Sequence, residues 1–423
     1  MNEALLQFIW KYSLYHSQSL TTTDGEAITV IHPGQKNTNA GPDFESAKIK
    51  VGNTTLVGNV ELHVRSSDWL QHKHDSDEAY RHLILHVVYQ QDVHLDNQSF
   101  ATLVLSPHIS DSVIRQYTTL QHTTHHIPCS TQLQNISVIL RESWLNRLLA
   151  ERWEMKLEEW KDILKQTAGD WQNLLYWRLA ANFGFKINAT PFLLLAKSIP
   201  ISILAKHKDQ LFQLESILFG QAGLLDKDFS EEYPQKLKTE YDFLRRKYNL
   251  QPLQGHLWKF MRMRPPNFPT LRIAQFAALV QKSFHLFSKI IEMNQVDEIF
   301  PLLQATAGSY WDNHYHFEDI QSRSYPKAIG DHSIHNIIMN TIAPIQFLFA
   351  HSTGNLILQE QALQLLTSLP PEKNRIISEW SSHHWQANHA AHSQALLQLF
   401  NQYCSSKRCL ECAIGLAVMK REC

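Results

Sequence analysis

Acidic and imidazole side chains recur at short spacing in the first part of this 423-residue chain. Asp43 follows Pro42, and Glu61 and His63 lie two residues apart in a segment where apolar and polar residues alternate. Residues two apart on a strand point to the same face at a separation of about 6.6 Å, so Glu61 and His63 can converge on one ion or one water molecule. A histidine with its ordinary pKa of about 6.5 can act there as a general base or as a nitrogen ligand.

A β-hairpin must position these residues. Gly52-Asn53 is a two-residue turn signal between alternating apolar positions, and such a turn sets the register of its two strands. The register predicts four facing pairs, which are Val51 with Thr54, Ile49 with Leu56, Ala47 with Gly58 and Asp43 with Leu62. Strict alternation then places Asp43 on the apolar face, so a bend at Gly41 and Pro42 is needed to bring it beside Glu61.

The hairpin resembles the core of the PD-(D/E)xK nuclease superfamily, in which a Pro-Asp pair precedes a hairpin whose second strand carries an acid, any residue and a lysine. Pro42-Asp43 and Glu61-Leu62-His63 match this pattern, with histidine in the place of lysine. The resemblance implies that Asp43, Glu61 and His63 are catalytic, that the two acids hold Mg²⁺ or Mn²⁺, and that His63 accepts the proton of the attacking water. A histidine ligand would favour Mn²⁺ over Mg²⁺.

Asp68, His72 and His74 follow the hairpin and are secondary candidates for the same site. A short helix through Glu78 to Arg81 and a third strand after it agree with the element order of the superfamily. The alternative interpretation is structural: the polar strand residues form a solvated face, Asp43 caps a turn, and the histidines are ordinary loop residues in a chain that contains 24 of them.

Four of the five cysteines lie within the last twenty positions, at Cys404, Cys409, Cys412 and Cys423. A C-x₂-C pair with a third thiol nearby is typical of tetrahedral zinc sites and of iron–sulfur clusters, and we predict one of these here. If residues 413–422 formed one helix, Cys423 would lie about 16 Å along the axis from Cys412, so the helix must break or another ligand must complete the set. A cluster of reduced, buried thiols is the alternative. The fifth cysteine, Cys129, falls in a stretch interpreted as a linker.

A local excess of basic residues distinguishes the segment 243–291, which contains nine Lys or Arg and no Asp or Glu. Aromatic residues and a Pro-rich loop, Arg264-Pro265-Pro266-Asn267-Phe268-Pro269, are interleaved with them. Cations for phosphates and aromatics for base stacking predict nucleic-acid binding, whereas the alternative is a set of solvated helix faces paired with acids elsewhere. The predicted binding residues are Arg245, Arg246, Lys247, Lys259, Arg262, Arg264 and Arg272.

The whole sequence predicts an α+β protein of two or three domains. Apolar residues at helical spacing around Leu5 and Ile9 predict a helix that packs on the hairpin, and from Ser137 the apolar period changes from two to about 3.6. The predicted divisions are a small nuclease-like domain with a mixed sheet at 1–117, a linker at 118–136, a large all-helical domain at 137–400 and a Cys-rich tail at 401–423.

Composition narrows the possible partners. With 39 basic and 40 acidic residues, the chain is not a globally polybasic binder, and any nucleic-acid affinity must come from local patches. No apolar run approaches the roughly 20 residues of a membrane span, and the first residues lack the pattern of a signal peptide. We therefore expect no membrane partner and a cytoplasmic location.

Over nearly its full length the chain resembles the bacterial domain-of-unknown-function 2851 family. The resemblance lies in Gly41-Pro42-Asp43-Phe44, Val60-Glu61-Leu62-His63-Val64, the loop at Arg264–Pro269 and the segment Arg408–Gly415. It implies no activity of its own. The leading hypothesis is a metal-dependent nuclease that hydrolyses phosphodiesters in DNA or RNA. A non-catalytic nucleic-acid or protein-binding scaffold with a structural metal or iron–sulfur site is the alternative, and a glycosylase-like helical enzyme is the third. Substrate and oligomeric state stay open.

Overall fold

The computed structural model describes residues 1–74, 77–96, 98–282 and 286–421. It confirms the predicted α+β class, with a mixed sheet in the first part of the chain and helices in the remainder. The strands are β1 (Ile28–His32), β2 (Gln35–Lys36), β3 (Phe44–Val51), β4 (Thr54–Arg65), β5 (Leu83–Gln90) and β6 (Ala101–Val104).

Helices precede, interrupt and follow the sheet. They are α1 (Glu3–Lys11), α2 (Asp68–Gln71), α3 (Asp111–His122), α4 (Val138–Gln166), α5 (Trp171–Phe183), α6 (Phe185–Ser198), α7 (Ile201–Lys206), α8 (Leu211–Gln221), α9 (Glu232–Tyr248), α10 (Pro269–Lys282), α11 (Leu286–Glu292), α12 (Val296–Leu303), α13 (Asp331–Ile337), α14 (Ala343–Ser352), α15 (Leu356–Ser368), α16 (Arg375–Ser382), α17 (Ala390–Leu399) and α18 (Ala413–Lys420). None of the helices in the described ranges is both long and apolar enough to cross a membrane.

The chain divides into two units. The first unit comprises Met1–Asn146, Ser382–Trp385 and Gln398–Cys423, and the second comprises Arg147–Ser381 and Gln386–Leu397. The Cys-rich segment is thus grouped with the sheet. Within it, α18 contacts α3, and Lys407 exchanges hydrogen bonds with Gln121, whose side-chain nitrogen lies 3.0 Å from the Lys407 carbonyl oxygen.

Two elements lie in the stretch that the sequence indicated as a linker. Helix α3 continues to His122, and a 3₁₀ helix covers Ser130–Asn135. The Thr, Gln and His content of this stretch is typical of loops, but Leu120, Ile127 and Leu133 are buried. Their burial shows that this stretch is packed as part of the first unit.

The sheet has the order β1-β3-β4-β5-β6, and β2 also pairs with β3. Strands β1, β2 and β4 are antiparallel to β3, whereas β4, β5 and β6 are mutually parallel. The predicted hairpin register is confirmed near the turn, where Val51 pairs with Thr54 and Ala47 with Gly58. Helix α1 contacts β4 and buries its apolar face, as expected from its residue spacing.

A β-bulge in β3 corrects the predicted register beyond Ala47. Phe44 pairs with Val60, so β3 has one residue more than β4 across this interval, and Ser46 adopts a left-handed φ of 56°. The extra residue lets Phe44 and Ala47 both face the core although they are three residues apart. It also moves Asp43 from the level of Leu62 to that of Glu61, which places the two acids on the same face of the sheet.

Gly58 permits the close parallel pairing of β4 with the start of β5. A Cβ atom at this position would lie 2.5 Å from the Ile84 Cγ2 atom and 2.7 Å from the His82 carbonyl oxygen. We expect Gly58→Ala to lower the free energy of unfolding by about 1–3 kcal/mol, because the backbone oxygen cannot move aside cheaply. Urea denaturation monitored by fluorescence measures this. Thr55→Ala, at an exposed position of the same strand, is the control and should stay within about 0.5 kcal/mol of wild type; equal losses in the two variants would contradict the steric explanation.

Candidate metal centre

Hydrogen bonds between side-chain carboxylates and backbone amides connect Asp43 with the strand segment that carries Glu61. The Asp43 amide donates a hydrogen bond to Glu61 Oε2 at 2.9 Å, and the Leu62 amide donates to Asp43 Oδ2 at 3.1 Å. The Gln7 side chain on α1 donates to Asp43 Oδ1 at 2.7 Å. Both carboxylate oxygens of Asp43 and one of Glu61 are therefore engaged, and Glu61 Oε1 is the oxygen that faces the neighbouring histidines.

The electrostatic environment disfavours two negative charges at this place. The pKa of Glu61 is raised to about 8, mainly by burial and in second place by the neighbouring Asp43 carboxylate. Burial is also the main cause that raises the pKa of Asp43 to about 6. Lys36 lowers the pKa of Asp43 only in part, so burial outweighs it and both carboxyl groups hold their protons more tightly than usual.

Three histidines lie beside this pair. His63 on β4, His72 and His74 each offer one ring nitrogen, and these three nitrogens all lie within 4.8 Å of one another. The side chains range from buried at His63 through half-buried at His74 to exposed at His72, so the cluster opens to solvent on one side. The structure thus brings together the predicted Glu61 and His63 with the secondary candidates His72 and His74.

The distances fit a single divalent cation. His63 Nε2 lies 3.1 Å from His72 Nδ1, and Glu61 Oε1 lies 3.7 Å from His63 Nε2 and 3.6 Å from His74 Nε2. Ligand nitrogens about 2.1 Å from a metal are about 3.0–3.4 Å from their neighbours, so the His63–His72 separation matches that of two ligands on one ion. The His74 nitrogen lies within 4.8 Å of both. Three imidazoles suit Zn²⁺ and Fe²⁺ best, and they suit Mn²⁺ better than Mg²⁺, which prefers oxygen ligands.

His86 on β5 stands behind His63 and orients it. A hydrogen bond of 2.9 Å joins His63 Nδ1 to His86 Nε2, which directs His63 Nε2 toward the cluster. Burial, followed by the neighbouring imidazoles, lowers the pKa of His63 to about 4 and that of His86 to about 3, so both rings are neutral at pH 7. Because both nitrogens of His63 already have neighbours, the geometry favours His63 as a ligand over the predicted role as proton acceptor.

A cavity of about 340 Å³ adjoins the cluster at His74. Three aromatic side chains, Trp69, Tyr80 and Phe100, form part of its wall, and Arg81 contributes a cation. The ring of Tyr80 lies 4.0 Å from that of His74, centroid to centroid. Asp68, by contrast, accepts a hydrogen bond from the Arg65 amide at 2.9 Å and caps the end of β4.

The cysteines form a second candidate site within the first unit. Cys404, Cys409 and Cys412 are each buried, while Cys423 lies outside the described residues. Burial, followed by the nearby thiols of Cys412 and Cys409, raises the pKa of Cys129, which places this fifth cysteine near the C-x₂-C pair. Among the described residues, the histidine trio is the only group whose ligand atoms all come within 4.8 Å, so these thiols are spaced more widely than a single zinc ion requires.

Most of the predicted nucleic-acid-binding residues are on the surface of the second unit. Arg245, Arg246, Lys247, Lys259, Arg262 and Arg264 are exposed. Arg272 is only 6% exposed and donates hydrogen bonds to Asn267, Gln275 and Ser333. Arg272 is therefore less accessible to a nucleic acid than the other six, because α10 is buried on almost every side.

Comparison with known proteins gives a family and no activity. The family model described as "Protein of unknown function (DUF2851)" matches residues 3–375. The chain belongs to this family. Searches of curated proteins and of solved structures found no match for this DUF2851 chain. The resemblance to the PD-(D/E)xK superfamily therefore has no support from a relative and stays a prediction.

Proposed function

We propose that this DUF2851 protein is a metal-dependent phosphodiesterase that acts on nucleic acid through the first unit. The observation that supports it is the convergence of three imidazole nitrogens, with Glu61 Oε1 within 3.7 Å of two of them, at the solvent-accessible edge of a cavity. His63, His72 and His74 would hold the cation. Of the two ions that the sequence suggested, Mn²⁺ suits these nitrogens better than Mg²⁺.

Each protein group has a role in this proposal. A bound cation would polarise the phosphate and lower the pKa of a coordinated water molecule. The same cation would lower the pKa of Glu61 from its value of about 8 and so favour the carboxylate. Glu61 Oε1 lies beside the nitrogens and would then be positioned to accept the proton of that water. Asp43 holds Glu61 through its backbone amide, and Gln7 fixes Asp43 in turn. Asp43 is thus a positioning residue rather than a metal ligand.

Two features favour a nucleic-acid substrate. The cavity beside His74 offers aromatic rings on which a base can stack and one arginine, Arg81, for a phosphate. The second unit carries six exposed cations from Arg245 to Arg264, which suit the sequence-independent attraction of a phosphate backbone.

The test is hydrolysis of single- and double-stranded DNA and RNA by purified protein with Mn²⁺, Zn²⁺ or Mg²⁺. Cleavage with Mn²⁺ or Zn²⁺ and loss of cleavage with a chelator would support the proposal. Binding without cleavage under every condition would favour the scaffold function. Release of free bases without any divalent metal would favour a glycosylase.

We further propose that the cysteines bind an iron–sulfur cluster rather than zinc. In an iron–sulfur cluster each thiolate binds a different iron atom, so the sulfur atoms of the ligands can lie farther apart than around one zinc ion. The thiols of the described cysteines have this wider spacing. The turn that contains them is tight, since a Cβ at Gly415 would lie 2.0 Å from the Cys409 carbonyl oxygen. Cys129, Cys409 and Cys412 would supply three ligands, and Cys404 or Cys423 the fourth.

We expect anaerobically purified protein to contain iron and acid-labile sulfide, and Cys129→Ser to lower both severalfold, because a three-thiolate site holds a cluster less tightly. Metal analysis and visible absorption measure this. Ser130→Ala, at the next position, is the control and should keep wild-type iron. Zinc in place of iron, or unchanged iron in Cys129→Ser, would contradict the assignment.

A further inference from the structure

A second cavity lies entirely within the second unit, apart from the metal centre. Its volume is about 430 Å³, within the range of about 300–1,000 Å³ that holds small-molecule ligands and much larger than a bare phosphate needs. The Pro-rich loop Arg264–Pro269, helix α13 and the segment 370–374 all contribute to it. The residues on which its chemistry depends are Phe185, Arg264, Asn267, Ser333, Glu372 and Lys373.

The lining is rich in cations and hydrogen-bond donors. Arg264 and Lys373 bring two positive charges against the single carboxylate of Glu372. That carboxylate already accepts hydrogen bonds from the Asn374 side chain at 3.2 Å and from the Gln394 side chain. The acid is therefore satisfied by amide donors, and the net character of the cavity favours an anion.

Arg272 adds a buried positive charge behind this lining. One of its terminal nitrogens donates to Asn267 Oδ1 at 2.7 Å and to Ser333 Oγ at 3.1 Å, and both of these residues line the cavity. Its Nε atom is buried with no hydrogen-bond partner among the described residues, and no carboxylate of the described residues forms an ion pair with it. A buried guanidinium without a counter-charge is costly, and an anion in the adjoining cavity would reduce that cost.

Phe185 supplies an apolar wall through an unusual backbone conformation. Its φ is +49°, which bulky L-residues rarely adopt, and its ring lies 4.7 Å from the Arg272 guanidinium. The preceding Gly184 packs so closely that a Cβ there would lie 2.2 Å from the Asn188 carbonyl oxygen. The turn between α5 and α6 thus holds an aromatic ring at the cavity in a strained conformation.

We propose that this cavity binds a phosphorylated small molecule of mononucleotide size, with its phosphate at Arg264 and Lys373 and its ring system toward Phe185. The two surface cations and the buried guanidinium select the phosphate, and the remaining volume and the aromatic wall select the rest of the ligand. This site does not depend on the proposed phosphodiesterase activity.

Calorimetric titration of the full chain with adenosine 5′-monophosphate, inorganic phosphate and adenosine tests this proposal. We expect the nucleotide to bind more tightly than phosphate and adenosine not to bind. Arg264→Gln should weaken nucleotide binding about tenfold or more, since a charge-assisted hydrogen bond is worth about 1.5–3 kcal/mol. Arg262→Gln is the matched control, because Arg262 is exposed two residues earlier and does not line the cavity.

Three outcomes would overturn the proposal. They are no binding of the nucleotide, equal binding of nucleotide and phosphate, and equal weakening by Arg262→Gln and Arg264→Gln, which would indicate general electrostatic attraction. Glu61→Gln separates the two sites: nucleotide binding should be unchanged in this variant even if the protein hydrolyses no phosphodiester, and its loss would assign the binding to the metal centre instead.

Discussion

Glu61→Gln is expected to lower the rate of Mn²⁺-dependent phosphodiester hydrolysis by about 10²–10⁴-fold, the usual contribution of a general base. The amide retains the shape of the side chain and can still accept the hydrogen bond from the Asp43 backbone at Oε2. It cannot accept a proton at the Oε1 position, which faces His63 and His74. Initial rates on end-labelled oligonucleotides, measured at saturating Mn²⁺, give the effect on the chemical step.

Two further variants separate the role of Glu61 as proton acceptor from that of Asp43 as positioning residue. Glu45→Gln, at an exposed position of the same hairpin, is the matched control and should retain the wild-type rate. Asp43→Asn should lower the rate less than Glu61→Gln does, because an amide oxygen at Asp43 can still accept the Leu62 amide. If Asp43→Asn abolished Mn²⁺ binding while Glu61→Gln kept full activity, the carboxylate pair would be the metal site and the role assigned to Glu61 would be wrong.

The combined variant His72→Ala/His74→Ala is expected to abolish binding of one Mn²⁺ per chain. Two of the three nitrogens that lie within 4.8 Å of one another are removed, and His63 alone cannot hold the ion. Wild-type protein should gain about 2.7 kcal/mol of stability at a Mn²⁺ concentration one hundred times the Kd, and the variant should gain none. Equilibrium dialysis with elemental analysis measures the bound Mn²⁺, and thermal denaturation with and without Mn²⁺ measures the stabilisation.

His82→Ala serves as the control for the loss of imidazole, because His82 is exposed and lies outside the trio. It should keep both the stoichiometry and the stabilisation. Counting Mn²⁺ separately from iron and zinc prevents metal at the cysteines from being mistaken for metal at the histidines. Retention of one Mn²⁺ by the double variant would show that the histidine trio is not the metal centre.

Local sequence signals were sufficient for the hairpin and insufficient for the exact position of Asp43. The Gly52-Asn53 turn fixed the register as far as Ala47, as the structure confirms. The bulge at Ser46 depends on packing Phe44 and Ala47 into one core, which no turn residue announces. A one-residue insertion reverses the face of everything before it, so the predicted level of Asp43 was wrong by one residue.

Residues that depend on long-range pairing could not be assigned from the sequence. His86 reaches His63 because β5 pairs in parallel with β4 and places it level with Glu61, and the partner of a strand is not encoded in its own residues. Cys129 lies near Cys409 and Cys412 although these residues are far from it in sequence. A hydrogen bond between Gln121 of α3 and Lys407 joins the two parts of the chain there. The burial of Arg272 does have a local signal, since most residues around it in Pro269–Lys282 are apolar. An arginine among basic neighbours nevertheless favours the prediction of a nucleic-acid contact.

Residues 398–421 belong to the same unit as the sheet, so this unit cannot be completed until the ribosome has made them. Both parts of the second unit, Arg147–Ser381 and Gln386–Leu397, emerge before that last segment, so the second unit can finish folding while the first unit is still incomplete. A nascent chain halted after Leu397 would already contain Glu61 and all three histidines but would lack α18, which packs on α3. Release of such a product would leave the apolar face of α3 exposed and the protein open to degradation or aggregation.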